Sequence, residues 1–158
     1  MLLVLFSCSS KQSSPFKLIK HNAPNDGVVT LTRMSDTSVK VLTDGIGMRY
    51  FEIEPTNNKT LIRAIYQVST PEGTMDGGRT EELFFYWPNM QDKQTVWEGK
   101  EFLALQPLLM RACFCRGEAG LFDISEGKLI INPDKRTFEV QFKVERGTQF
   151  FSSFTATY

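Results

Sequence analysis

The sequence predicts an all-β fold, a single antiparallel β-sandwich or barrel of about eight to ten strands. Three observations lead there. Apolar residues recur with period two, most clearly in Thr137-Phe138-Glu139-Val140-Gln141-Phe142-Lys143-Val144-Glu145, the signature of a half-buried antiparallel strand. Turn chemistry interrupts such runs roughly every 8–15 residues, the spacing of sandwiches and barrels. The chain also carries 13 Phe, 4 Tyr and 2 Trp, and aromatic side chains suit a pleated, half-buried surface.

In chain order, Pro24-Asn25-Asp26-Gly27 supplies the first turn. Val39 and Val41 then alternate with Ser38 and Lys40 as a strand, and Asp44-Gly45 turns the chain back. Residues 60–70, rich in β-branched residues and Tyr, form the next strand. Asp76-Gly77-Gly78 is a turn. Phe84-Phe85-Tyr86-Trp87 is an aromatic run that Pro88 ends; being apolar on both faces, it is expected as a central, buried strand. Residues 89–100 show no period and read as a loop. Glu101-Phe102-Leu103-Ala104-Leu105-Gln106 suits a short helix cut off by Pro107, with residues 80–83 the other place for one. Glu126-Gly127 reads as a turn. Leu129-Ile130-Ile131-Asn132 should pair with Thr137–Val144 across a loop at Asn132-Pro133-Asp134-Lys135-Arg136. The last strand, within residues 150–158, puts Phe154, Ala156 and Tyr158 on one face and Thr155 and Thr157 on the other.

Length and charge bound the function. The 158 residues make one domain, large enough to bury a core without staples. Lys plus Arg and Asp plus Glu number 18 each. There is thus no basic field to attract nucleic acid, and no nucleic-acid partner is expected. Cys113 and Cys115 are two apart. On a strand they would share a face with Cα atoms ~6.6 Å apart, near the upper limit for a bridge. Two buried thiols are therefore favoured over a redox disulfide, and either over metal chemistry. His21 is the single His and lies far from them, so no metal site or other cofactor is expected.

Residue patterns that carry chemistry are few. A Ser-His-Asp triad needs a base beside the nucleophile, and His21 precedes the main domain. Paired carboxylates are available at Glu52 and Glu54, and at Glu81 and Glu82, as a hydrolase of the glycosidase type would need. Exposed strand carboxylates explain them equally well. Asp76-Gly77-Gly78-Arg79 lacks the Lys-Ser/Thr of a phosphate loop, and neither it nor Asp44-Gly45 has the repeated Asp spacing of a calcium loop. Tyr86, Trp87 and Trp97 are the candidate contact residues, since sugar rings and protein partners both use such faces. Filling the core is the competing role, more so for Trp87 than for Trp97.

The N-terminus adds an address. Leu5-Phe6-Ser7-Cys8 ends an apolar run, and the polar Ser9-Ser10-Lys11-Gln12-Ser13-Ser14 follows. The apolar run is too short to span a bilayer, which takes ~20 residues. This resembles the lipobox of bacterial lipoprotein signal peptides. Gly127-Lys128-Leu129-Ile130-Ile131 and Ser153-Phe154-Thr155-Ala156-Thr157-Tyr158 are similar to the closing hairpin and strand of small Bacteroidetes lipoproteins, many without an assigned activity. The resemblance implies acylation of Cys8 after removal of residues 1–7, a tether and lead-in over residues 8–27, and a β domain over residues 28–158. It also implies an outer-membrane lipid anchor. In that group acidic residues just after the Cys mark export to the surface, so by the same resemblance Lys11, with no acidic residue before Asp26, implies the periplasmic side over the cell surface. The expected function is a non-enzymatic binding or structural module with an envelope protein or a glycan as partner. A carbohydrate-binding domain and a small carboxylate-based hydrolase are the alternatives.

Overall fold

The computed structural model describes residues 16–74, 76–89, 95–115 and 117–158. Cys8, the leader of residues 1–7 and the Ser-rich stretch of residues 9–14 lie outside the described residues. The fold is all-β, with nine strands among the described residues: β1 (Lys17–His21), β2 (Val28–Thr43), β3 (Arg49–Val68), β4 (Arg79–Tyr86), β5 (Val96–Glu98), β6 (Leu108–Cys113), β7 (Gly120–Asn132), β8 (Thr137–Val144) and β9 (Ser153–Thr157). One short helix, α1 (Lys100–Leu103), sits between β5 and β6.

All pairings are antiparallel, and the strands run in the order β1-β9-β8-β7-β6-β4-β3-β2, with β5 also on β7. β7 joins two halves. Its first residues, through Asp123, pair with β6, and from Ile124 onward it pairs with β8, with an irregularity between Ile124 and Glu126. Such irregularities bend a strand and re-aim its faces. The two halves enclose one core. Ile62, Ala64, Tyr66, Leu83, Phe85 and Leu109 meet Leu129, Ile131, Phe138, Val140, Phe154 and Ala156 there. β1 and β2 end the strand order without a ladder between them, so the sheet is open. The barrel half of the sequence expectation is thereby corrected.

Several elements fall where the sequence puts them. Leu129 pairs with Val140 and Ile131 with Phe138, as the alternating runs require. Phe138, Val140, Phe142 and Val144 are all buried, while Gln141 and Lys143 face water. The connection 133–136 is short enough that Arg136 adopts a left-handed φ of 51°. Phe154 and Ala156 are buried from β9. β4 carries Leu83 and Phe85 into the core and Phe84 onto the opposite face, where it is buried too.

Other elements differ. β1 lies within the stretch read as lead-in and pairs with β9. Phe16 is buried, and the Asn22 side-chain oxygen accepts from Ser152 N and Ser153 N at 3.0 and 2.8 Å. Residues 16–27, read from the sequence as lead-in, therefore include part of the folded sheet. Residues 89–100 are not all loop, because β5 lies there; residues 90–94 are outside the description. Glu126-Gly127 is inside β7, not a turn. Gly127 is needed there because a Cβ would collide with the Phe102 ring of α1. That contact seats the helix: Phe102 is its buried residue. Residues 80–83 are strand.

Cys113 and Cys115 form a disulfide, with Cα atoms 5.2 Å apart. Both are half-exposed, which corrects the expectation of two buried thiols. β6 ends at Cys113 and the chain bends at Phe114. The ~6.6 Å separation of an extended strand thus does not apply, and the cysteines come within ordinary bridging distance.

Candidate functional site

The β2–β3 hairpin is far longer than the sheet beneath it. β2 has 16 residues and β3 has 20. Their pairing shifts between Ser35 and Thr37, opposite Thr60 and Pro55. Asp36 and Asn58 take left-handed φ values of 52° and 62° at that point, a conformation that Asp and Asn tolerate better than most residues. Asn58 N also donates to Asp36 Oδ1 at 3.2 Å. Beyond this kink the hairpin is an arm, residues 37–55. It lies over the outer face of the half-sheet containing β3, β4, β6 and the start of β7.

Period-two geometry decides which arm residues face down. Val39 pairs with Ile53, Val41 with Phe51 and Thr43 with Arg49, and cross-strand partners share a face. Below them, Leu61 pairs with Tyr86, Phe84 with Leu108 and Leu108 with Asp123. The two surfaces meet at three places. Val39 N donates to Tyr86 Oη at 3.1 Å. The Phe51 and Phe84 rings lie 4.9 Å apart, tilted by 56°. Arg49 donates to both Asp123 oxygens, at 2.7 and 2.9 Å.

Between these contacts a cleft of about 250 Å3 remains. Leu61, Phe84 and Leu108 form its floor, Val39 and Val41 its roof, and Arg49, Asp123, Gln106 and Tyr86 its polar rim. Val41 stays 42 % exposed, so apolar surface is left uncovered at its mouth. The arm ends in a turn that Asp44 holds by accepting from Ile46 N and Met48 N at 2.9 and 2.8 Å. Ile46 itself is 87 % exposed. A larger depression, about 410 Å3, lies over the β7 irregularity. It is less suited to a ligand, because its charged lining is already self-paired as Lys128–Glu98 and Lys143–Glu126.

The Arg49–Asp123 pair acts as a latch on the arm. The Arg49 hydrogen bonds hold the Asp123 carboxyl below the ordinary carboxylate range, against the burial that pushes it up. A lowered carboxylate contributes stability above its unfolded value and loses it as pH falls through the folded one. The arm is therefore expected to loosen only below about pH 4. Protection of the Val39 amide, relative to its intrinsic exchange rate, should then fall severalfold, the worth of an exposed pair. In Asp123→Asn it should be equally reduced at every pH; wild-type protection in that variant at pH 7 rules the latch out.

The sequence-predicted contact residues are not brought together. Tyr86 lines the cleft, with Lys59 Nζ over its ring at 4.8 Å. Trp97 is 7 % exposed and belongs to the core. Trp87 is half-buried against Phe16, Phe138 and Tyr158 at ring distances of 5.8, 5.0 and 5.5 Å. The three make no common platform.

The carboxylate pairs do not converge either. Glu52 and Glu54 share the back of the arm, as do Ser38 and Lys40 across from them; Glu52 and Lys40 are exposed, Glu54 and Ser38 half-buried. Glu81 and Glu82 point to opposite faces of β4. Glu82 pairs with Arg63 at 2.6 Å, and Glu81 with Arg111 at 2.7 Å, with no exposure of either side chain of the latter pair. His21 is on β1, opposite Phe154. Among the described residues no cluster of three His, Cys, Asp or Glu could hold a metal ion. Sequence reasoning missed the cleft. Its traces were Tyr86, expected as a contact residue, and the Val39/Val41 alternation, with no sign of what that apolar face would cover. Comparison of the chain with family models, curated proteins and solved structures yields no match.

Proposed function

We propose that this chain is a non-enzymatic binding or structural module, anchored to the outer membrane by acylated Cys8 and facing the periplasm. In this reading it takes an apolar side chain of an envelope protein into the cleft beneath its arm. The cleft carries the proposal: an apolar floor and roof, a polar rim, and Val41 left half-exposed at the mouth. Its volume of about 250 Å3 is below the ~300–1,000 Å3 of small-molecule sites, which suits a single anchoring side chain better than a whole ligand. Support for a glycan surface is weaker, since Trp97 is buried and Trp87 is committed to an aromatic cluster. The lipobox-like Leu5-Phe6-Ser7-Cys8 supports the anchor.

Each half has its own test. Labelled palmitate should enter the wild-type chain and follow the membrane fraction, and Cys8→Ala should lose both; absence of label in the wild type removes the anchor. For the cleft, 3-methylindole, the size of one apolar side chain, serves as the probe, with binding followed by NMR. Val41→Glu, at a position exposed enough to accept a charge, is expected to weaken its binding at least about tenfold, because covering the new carboxylate with an apolar ring strips it of water. Glu52→Gln on the back of the arm should leave it unchanged. Equal binding by Val41→Glu and wild type would sink the cleft.

A further inference from the structure

The Cys113–Cys115 disulfide is poorly placed to act as a staple. It closes a loop with one residue between its ends. The chain entropy that a bridge removes from the unfolded state grows with loop length, so a loop this short contributes near the minimum. Neither cysteine belongs to the core, and the bond joins a strand end to its own bend rather than two distant elements. Exposed disulfides that the fold does not need are the ones that exchange readily.

Its surroundings fit exchange. A groove of about 340 Å3 runs beside Cys113, lined in part by Val68, Thr70, Thr80 and Phe114. Phe114, between the two cysteines, is 83 % exposed and offers an apolar contact to an incoming chain. Arg79 also lines the groove and is the direct ladder partner of Cys113. Opposite residues of an antiparallel pair share a face, with Cβ atoms ~4.5–5.5 Å apart. Arg79 is thus rooted beside Cys113 on the neighbouring strand. Its guanidinium reaches Asp26 at 2.6 Å and covers the Phe150 ring at 4.4 Å. Nearby positive charge stabilises a thiolate.

We infer that Cys113 and Cys115 form a thiol–disulfide exchange site whose substrate is an exposed dithiol of another protein. A substrate thiolate attacks Sγ of Cys115. The Cys113–Cys115 bond breaks, and its electron pair leaves on Cys113 Sγ beside Arg79. The substrate is now joined to Cys115. Its second thiolate attacks the substrate sulfur of that mixed disulfide and expels the Cys115 thiolate. The substrate has lost two electrons and become a disulfide. Cys113 and Cys115 have gained them, and take up the two protons the substrate thiols gave up. A small-molecule disulfide such as oxidised glutathione restores the starting state by the reverse exchange.

The inference is independent of the cleft, which lies at the other end of β4. The test uses the full chain in a Cys8→Ser background, so that only two sulfurs react. The probe is a reduced synthetic peptide bearing two cysteines. The chain is expected to oxidise it at least about ten times faster than the same concentration of oxidised glutathione does. Cys113→Ser should then hold a persistent mixed disulfide on Cys115 when offered a single-cysteine version of the peptide as its thionitrobenzoate derivative, since no second substrate thiol is left to resolve it. Arg79→Gln should slow exchange severalfold, and Arg79→Lys should restore it, with the disulfide intact in both. A rate no better than that of oxidised glutathione overturns the inference. So does a bond that stays closed in excess reduced glutathione, which would mark a structural staple.

Discussion

Replacing Arg111 by alanine is expected to cost about 3–5 kcal/mol of folding stability, the loss seen when one partner of a buried ion pair is removed. Glu81 and Arg111 sit opposite each other on β4 and β6, and neither side chain has any solvent exposure. Arg111 Nε donates to Glu81 Oε1 at 2.9 Å, and Arg111 Nη2 donates to the Thr148 carbonyl. Arg111 Nη1 reaches the Glu118 carbonyl at 3.3 Å. Glu81 in turn accepts from Phe150 N and Phe151 N at 3.1 and 2.8 Å. The pair therefore ties the β8–β9 connection to the neighbouring half-sheet. Removing the guanidinium leaves a carboxylate buried with two amide donors and no counter-charge.

Against a typical domain stability of about 5–15 kcal/mol, that loss is a large fraction of the whole. The double variant Glu81→Gln/Arg111→Met should recover much of it, because an uncharged pair of similar volume removes the uncompensated charge. Urea unfolding of the two variants beside the wild type checks this. A loss below about 1 kcal/mol in Arg111→Ala would be a surface-pair value and would mean that water reaches Glu81.

This pair also shows what the sequence did and did not make legible. The sequence put a buried strand at Phe84–Trp87 but left residues 80–83 as a place for a helix, so it did not show that Glu81 faces the core with Leu83 and Phe85. The same holds for Arg111 beside Leu109. Each charge in isolation looks like a surface residue or a catalytic candidate. Only the register that sets Glu81 against Arg111 turns them into a pair, and register is a long-range property. The arm follows the same rule. Val39 and Val41 announce a strand, while the kink at Asp36 and Asn58 decides that the strand crosses back over Phe84. The cysteines were misread for a local reason, since a bend at Phe114 cannot be told from continued strand by composition. The hairpin of β7 and β8 was legible because its turn and its alternation both lie within a few residues.

The aromatic cluster around Phe138 gives the second large effect. Phe138→Ala should cost about 3–5 kcal/mol, the range for a buried Phe truncated to Ala. Its ring is nearly inaccessible and lies 5.1 Å from Phe16, 5.0 Å from Trp87, 5.8 Å from Phe154 and 6.4 Å from Tyr158. Several contacts are edge-on, the geometry that adds about 0.5–1.5 kcal/mol per pair beyond area burial. The loss should not be uniform across the molecule. Phe16 and Phe138 hold the point where the chain enters β1, and β1 is a five-residue end strand paired only with β9. Such a strand opens at lower free energy than the core. Amide exchange at Leu18 should therefore rise in Phe138→Ala before that of Leu129 or Val140. If a tether precedes residue 16, as the lipobox resemblance implies, this cluster is where pull on that tether reaches the body. Simultaneous, equal acceleration at Leu18, Leu129 and Val140 would show instead that β1 opens only with the whole domain, and that the cluster is ordinary core.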